Sequence, residues 1–235
     1  MVVWVSAQTP ECCGSHRLFR LPALVPAQQQ SSTSGFIYKF EQFLLQHDLL
    51  DKPSHIWICN ESGFPLCPKS GKVLAPQGAH NVYHITGNNK QQITTLCCIS
   101  VAGGIIPPMH ICPGERFGYN PLKGGVEGAY FGKSSNGWMT QELFYGWISK
   151  HYPIHLPPGR PVCLLVDGHS SHIDLDTSKF CAANQIVLYC LSPHTSHVLQ
   201  PLDVGFFAPL KQAWQDAVAQ YQLDEGEVIS KRFFA

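Results

Sequence analysis

Pro161-Val162-Cys163-Leu164-Leu165-Val166-Asp167-Gly168-His169 is the stretch that decides the architecture. An apolar run without alternation belongs to a strand covered on both faces, as in sheets flanked by helices on either side. The acid stands where that strand ends, and ligand sites of α/β sheets gather at the carboxyl ends of strands. Asp167 there either caps a following helix through its side-chain oxygen or points into a site. A second unbroken run, Ile186-Val187-Leu188-Tyr189-Cys190-Leu191, predicts another buried strand, and residues 173–183 between the two suit a short helix.

Upstream, Ile93–Val101, a turn at Gly103-Gly104 and Ile105–Cys112 read as a β-hairpin. The uncharged stretch Gln91–Gly114 is long enough to cross a bilayer, but Gly103-Gly104 and Pro107-Pro108 interrupt it, so no membrane partner is expected. Ile56-Trp57-Ile58-Cys59 predicts a short strand followed by a loop from Glu61 to Gly78, and 81–86 suits a further strand. Apolar residues at three- and four-residue steps predict helices over Phe36–Leu50, Trp138–Tyr152 and Pro201–Gln222. Pro209 falls inside the last of these, which predicts a kink there or a start near Ala208. Pro113–Asn136 is glycine-rich and reads as a long surface loop, and Trp138 and Trp147 are assigned to the core. The fold class is therefore α/β, a mixed sheet of about five strands flanked by helices. Residues 1–35 form an irregular, mobile leader, 36–222 the domain, and 223–235 a truncated tail.

Composition narrows the function. Hydrophobic residues make up 44% and charged residues 14% of 235, against about 25% charged in an ordinary soluble domain, which excludes a disordered charged tail protein. Sixteen Lys and Arg balance sixteen Asp and Glu. Nucleic acid would have to be held by a local patch or through metal, not by a global field. None of the ten cysteines forms a C-x-x-C, and two pairs are vicinal, so they read as reduced thiols. Val2-Val3-Trp4-Val5 is too short for a secretory signal.

Two further segments carry acids. Ser192-Pro193-His194 to Gln200-Pro201-Leu202-Asp203-Val204-Gly205 places Asp203 after the second buried strand and at the start of the last helix. Cys59-Asn60-Glu61-Ser62-Gly63-Phe64 follows the first predicted strand. Carboxylates delivered from adjacent elements can share a hard divalent ion, which prefers oxygen ligands.

These motifs, in this order, resemble the DDE domain of pogo/Tigger/jerky-type transposases. That family carries Asp-Glu-[Thr/Ser]-Gly-Phe after the first strand, [Val/Leu]-Asp-x-His after the fourth, and Gln-Pro-Leu-Asp-x-Gly before the last helix. The resemblance covers about residues 36–222 and implies an RNase H-like fold, three acids binding two Mg²⁺ or Mn²⁺ ions, DNA as partner, strand cleavage and transfer as chemistry, and a nuclear location. Two metals about 3.5–4 Å apart clamp the attacking and leaving oxygens of in-line phosphoryl transfer. Asp167 and Asp203 match the second and third acids and are the expected metal ligands. Asn60 stands where the family carries aspartate, and Ile58 where it often carries asparagine. An amide brings no charge, so a weakened or silent centre in a DNA-binding, transposase-derived domain is expected. Glu61, a possible substitute acid, matches a glutamate the family already has beside its first acid, and alternation along a strand turns it away from Asn60.

Lys211, two helical turns past the third acid, is the leading DNA contact, with Lys69 and Lys72 next and Lys90, Arg116, Lys123 and Lys133 as further candidates. Residues 1–35 are too short for the family's helix-turn-helix, so recognition of specific transposon ends is not expected of this chain alone. Two other functions stay open: an active Mg²⁺-dependent endonuclease, and a zinc hydrolase built from Asp167, His169, His172, His194 and His197. Pro68-Lys69-Ser70-Gly71-Lys72-Val73 lacks the first glycine and the hydroxyl of a phosphate loop, and Gly168-His169-Ser170-Ser171-His172 lacks the closing glycine of a serine-hydrolase elbow.

Overall fold

The computed structural model describes residues 27–67, 91–114, 116–191, 199–227 and 229–234. Its sheet has six strands: β1 (Ile56–Pro65), β2 (Gln92–Ser100), β3 (Ile105–Pro113), β4 (Tyr130–Ser134), β5 (Val162–Val166) and β6 (Ile186–Cys190). Their order is β4-β3-β2-β1-β5-β6. The β1–β2 and β2–β3 pairs are antiparallel, while β1–β5, β3–β4 and β5–β6 are parallel. Every strand except β2 therefore ends at the same edge of the sheet. The helices are α1 (Ala27–Gln46), α2 (Gln141–Lys150), α3 (Leu175–Ala183) and α4 (Phe207–Glu225).

β5 is buried throughout, as an unbroken apolar run requires. Its Leu164 and Val166 pack with Trp57 and Cys59 of β1 against Phe144, Trp147 and Ile148 of α2 and Cys181 of α3. Its Cys163 and Leu165 pack with Ile56 and Ile58 against Phe40 and Leu44 of α1, and against Leu202 and Phe207. Alternation along β1 and β5 thus sends successive side chains into two cores, one on each side of the sheet. Thr140 caps α2 by accepting from the Leu143 amide. Asp174 caps α3, accepting from Asp176 and Thr177.

Four expectations are corrected. The mixed sheet of about five strands is there with six, and Tyr130–Ser134, assigned to a loop, is a strand that pairs with β3 from Met109↔Tyr130 to Pro113↔Ser134. Gly132 in β4 suits this edge position, since a Cβ there would stand 2.5 Å from the Met109 Cε. β1 does not stop at Cys59: the antiparallel partner β2 holds it from Trp57↔Ser100 to Pro65↔Gln92, so Asn60 and Glu61 lie within the strand. The first helix begins at Ala27, inside the expected leader. Trp138 lies before α2 and is 56% exposed, whereas Trp147 is in the core at 1%. The segment 81–86 lies outside the described residues.

Pro107 and Pro108 sit inside β3 because the β2–β3 register shifts between Leu96 and Cys98. Such an irregularity tolerates residues that cannot donate to the ladder. Pro209 has a comparable effect. The turn before α4, Leu202–Phe206, is a π-turn in which the Phe207 amide donates to Leu202 O. Pro209 then falls in the first turn of α4, where a missing N–H is least costly. The start near Ala208 expected from this proline agrees with Phe207 to one residue.

Candidate functional site

The parallel register of β1 and β5 sets Ile56 beside Cys163, Trp57 beside Leu164 and Ile58 beside Leu165. Carried two residues onward, it brings Asn60 beside Asp167 at the end of β5. Asp203 reaches the same rim from the π-turn, a backbone form often found at functional sites. The Asn60 side chain is 6% exposed. Its Nδ2 donates to Asp203 Oδ2 at 3.0 Å, and its Oδ1 accepts from the Glu61 amide at 2.9 Å. Gln200, fully buried, donates from Nε2 to Cys59 O at 3.1 Å and ties the Asp203 segment to β1. Gly168 lets the chain leave β5 closely beside β6, because a Cβ there would stand 2.8 Å from Leu191 O.

Glu61 faces the opposite core. Its Oε1 lies 2.9 Å from His172 Nε2, and Asp167 Oδ1 lies 2.7 Å from His172 Nδ1. His172 is wholly buried and packs on Phe144, with ring centroids 4.5 Å apart. Burial works to lower its pKa, but hydrogen bonds and charge from Asp167 and Glu61 override this and push it up to about 10. His172 is therefore an imidazolium clamped between two carboxylates. Burial likewise works to raise the Asp167 pKa, and the contacts with His172 and the His169 amide hold it below the ordinary carboxylate range. Asp203 is shifted upward, mainly by desolvation and further by the charges of Asp167 and Glu61. The Asn60 hydrogen bond and Lys211 oppose that rise. Lys211, exposed on α4, is thus within electrostatic reach of Asp203. Lys69, Lys72 and Lys90 lie outside the described residues.

A pair of divalent ions shared by positions 60, 167 and 203 would need anionic oxygens converging on one point. Instead the Asn60 amide turns an N–H toward Asp203, Asp167 Oδ1 is taken by His172, and Glu61 is held on the far face. Beside Asn60, the second oxygens of Asp167 and Asp203 are left without a hydrogen bond among the described residues, and two oxygens on separate acids do not fit two ions. The zinc set fares no better. Both nitrogens of His172 face carboxylates, and the Nδ1 of His169 lies 2.8 Å from Ser171 Oγ and caps the Ser170–His172 turn. His194 and His197 lie outside the described residues. Among the described residues no group of three or more His, Cys, Asp and Glu could hold a metal.

Sequence reasoning named Asn60, Asp167 and Asp203 but missed two supports, His172 as a clamp and Gln200 as a tie. Glu61 and His172 are 111 residues apart, and nothing local in either segment announces the pairing. The cysteines follow expectation: all the described ones are free, most are buried, and burial pushes the Cys97 and Cys163 thiols up to about 12.

Comparison with known proteins bears on the family and the fold. The family model of DDE superfamily endonucleases matches residues 90–234, which include Asp167 and Asp203 but not Asn60. A curated relative from Cochliobolus lunatus, named MFS-type transporter clz9, is 33% identical over 186 residues, 74% of this chain and 19% of its own length. No described helix is long and apolar enough to cross a membrane. The Mos1 transposase paired-end complex with left transposon end shares the fold, with TM-score 0.55 and 14% identity over 90% of this chain and 58% of the other. The Mos1 mariner paired end complex with Mn has TM-score 0.54 and 13% identity over the same shares. The chain spans about a fifth of the curated relative and under two thirds of these solved chains.

Proposed function

Because this chain belongs to the DDE superfamily endonuclease family, we propose that it is a transposase-derived, RNase H-like domain that binds DNA along the Asp167–Asp203 rim but no longer cuts it. The observation that carries this is the hydrogen bond from Asn60 Nδ2 to Asp203 Oδ2. In the family's chemistry Mg²⁺ or Mn²⁺ would hold those two positions together through negative charge on both. Here an amide proton bridges them, and the first position brings no charge toward a cation. Asp167 and Asp203 keep the places of the second and third acids and would be the ligands of any ion bound at the rim, Asn60 replaces the first acid, and Glu61 does not substitute for it because His172 holds it on the other face. Lys211 contacts phosphate, and a nuclear location follows from the family resemblance alone.

The test is a cleavage assay on nicked or branched DNA with Mg²⁺ or Mn²⁺. Wild type is expected to leave the substrate intact, Asn60→Asp to nick it, and Asn60→Asp/Asp167→Ala to lose that gain. Cleavage by wild type that Asp167→Ala abolishes would show the centre to be active as it stands.

A further inference from the structure

The C-terminal ends of β3 and β4 collect cations from three distant segments. A cleft of about 540 Å³ opens there, lined by Gly114, Arg116, Lys133, Ser134 and Ser135. Phe117 pins the Arg116 loop by packing edge-on against Phe131 of β4 and against Tyr119, with centroids 5.3 and 5.7 Å away. The end of the chain supplies the rest. Lys231 Nζ donates to Pro113 O at 3.1 Å, and Arg232 follows it in the same short turn, its guanidinium 5.7 Å from the Phe233 ring centroid and its charge opposing the rise that burial imposes on the Tyr119 phenol. Arg116, Lys133 and Arg232 are exposed. Among the described residues no carboxylate pairs with Arg116, Lys231 or Arg232. Four of the chain's 16 Lys and Arg thus meet at one corner of a molecule whose net charge is zero.

This corner lies on the sheet edge where β1 and β5 also end. Pro113 is level with Pro65, because Gln92 pairs with Pro65 and Thr94 with Ile111. It is therefore two strands across and five residues beyond Asn60, on the order of 20 Å at ordinary strand spacing and rise. α4 tracks between the two places: Lys211 acts on Asp203, Trp214 donates to Pro65 O at 2.7 Å, and Val218 packs with Cys112 of β3. One DNA strand advances about 3.4 Å per phosphate, so a backbone passing Asp203 and Lys211 reaches this corner about six phosphates later.

We propose that Arg116, Lys133, Lys231 and Arg232 form a second contact for the phosphate backbone of duplex DNA, holding the flank of a strand whose neighbouring segment lies at the Asp203 rim. This rests on the DNA-binding function proposed above and adds where the duplex runs.

The experiment measures binding of a fluorescent duplex about two helical turns long across a salt series. Arg116→Gln/Arg232→Gln is expected to make the slope of log affinity against log salt shallower by about 2, near 0.9 for each phosphate no longer neutralised. Lys39→Gln/Lys179→Gln, which removes the same charge from the exposed faces of α1 and α3, is expected to leave it unchanged. Salt-dependent binding by wild type with an undiminished slope in the Arg variant would overturn the second contact alone. No salt-dependent binding by wild type would overturn both it and the DNA-binding function. Displacement of the duplex by inorganic phosphate, beyond the effect of chloride at equal ionic strength, would make the corner a small-anion site instead.

Discussion

Asn60→Asp is expected to destabilise the protein in the presence of EDTA and to make its stability respond to Mn²⁺. The substitution removes the donor that holds Asp203 Oδ2 at 3.0 Å and sets a second carboxylate against it. Two like charges about 4 Å apart repel by ~1 kcal/mol in bulk water and ~4 kcal/mol near a protein surface. Asp203 is exposed, so roughly 1–3 kcal/mol is the appropriate range, a fall in Tm of some 2–4 °C per kcal/mol for a chain of this size. Mn²⁺ at about a hundred times its Kd should return ~2.7 kcal/mol. Wild type, in which an amide already bridges the gap, should show little shift. Thermal unfolding of both proteins with EDTA and with Mn²⁺ checks this, and an equal rise in Tm for wild type would contradict it.

His172→Gln should cost more. The imidazolium pairs with both Glu61 and Asp167, whose side chains are 15% and 24% exposed. Breaking a buried ion pair from one side costs about 3–5 kcal/mol, and partial exposure of the acids brings this to roughly 2–4 kcal/mol. Removing one orphaned carboxylate as well, in Glu61→Gln/His172→Gln, should restore more than about 1 kcal/mol of that loss. Strictly additive losses in urea unfolding of the two single variants and the double variant would mean that Glu61 and His172 are not coupled. The pH dependence follows from the sign of the shift. His172 titrates at about 10 in the folded protein against an ordinary value of 6.5, so the folded state binds its proton more tightly. The stabilisation is complete below 6.5, shrinks as pH rises beyond it and is gone above about 10. Asp167, shifted downward, contributes stability above the ordinary aspartate range that is lost as pH falls. Wild type should therefore weaken in alkali through His172, and His172→Gln should lack that limb of the profile.

Much of the fold was legible because burial on both faces leaves a plain trace. β5 reads as five consecutive apolar residues, all buried, and the hairpin of β2 and β3 announces itself by apolar runs around Gly103, which adopts φ 88°. The second half of β1 was not legible, since Ser62-Gly63-Phe64-Pro65 has the composition of a loop and is held in the sheet by β2, a partner distant in sequence. β4 escaped for the same reason, its edge position depending on pairing with β3. The acids at 167 and 203 and the amide at 60 were visible as residues in motifs. The direction of the Asn60 amide and the clamp on His172 were not, because both are contacts across more than a hundred residues. The basic corner depends likewise on Lys231 meeting Pro113.

The most direct test of the central claim, that the Asn60 amide takes the place of a cation at the rim, is anomalous scattering from crystals of the wild-type protein soaked in Mn²⁺. No pair of manganese peaks is expected between residues 60, 167 and 203, and the Asn60 side chain should remain within hydrogen-bond distance of Asp203. Two peaks about 3.5–4 Å apart, with the Asn60 oxygen turned toward them, would contradict it.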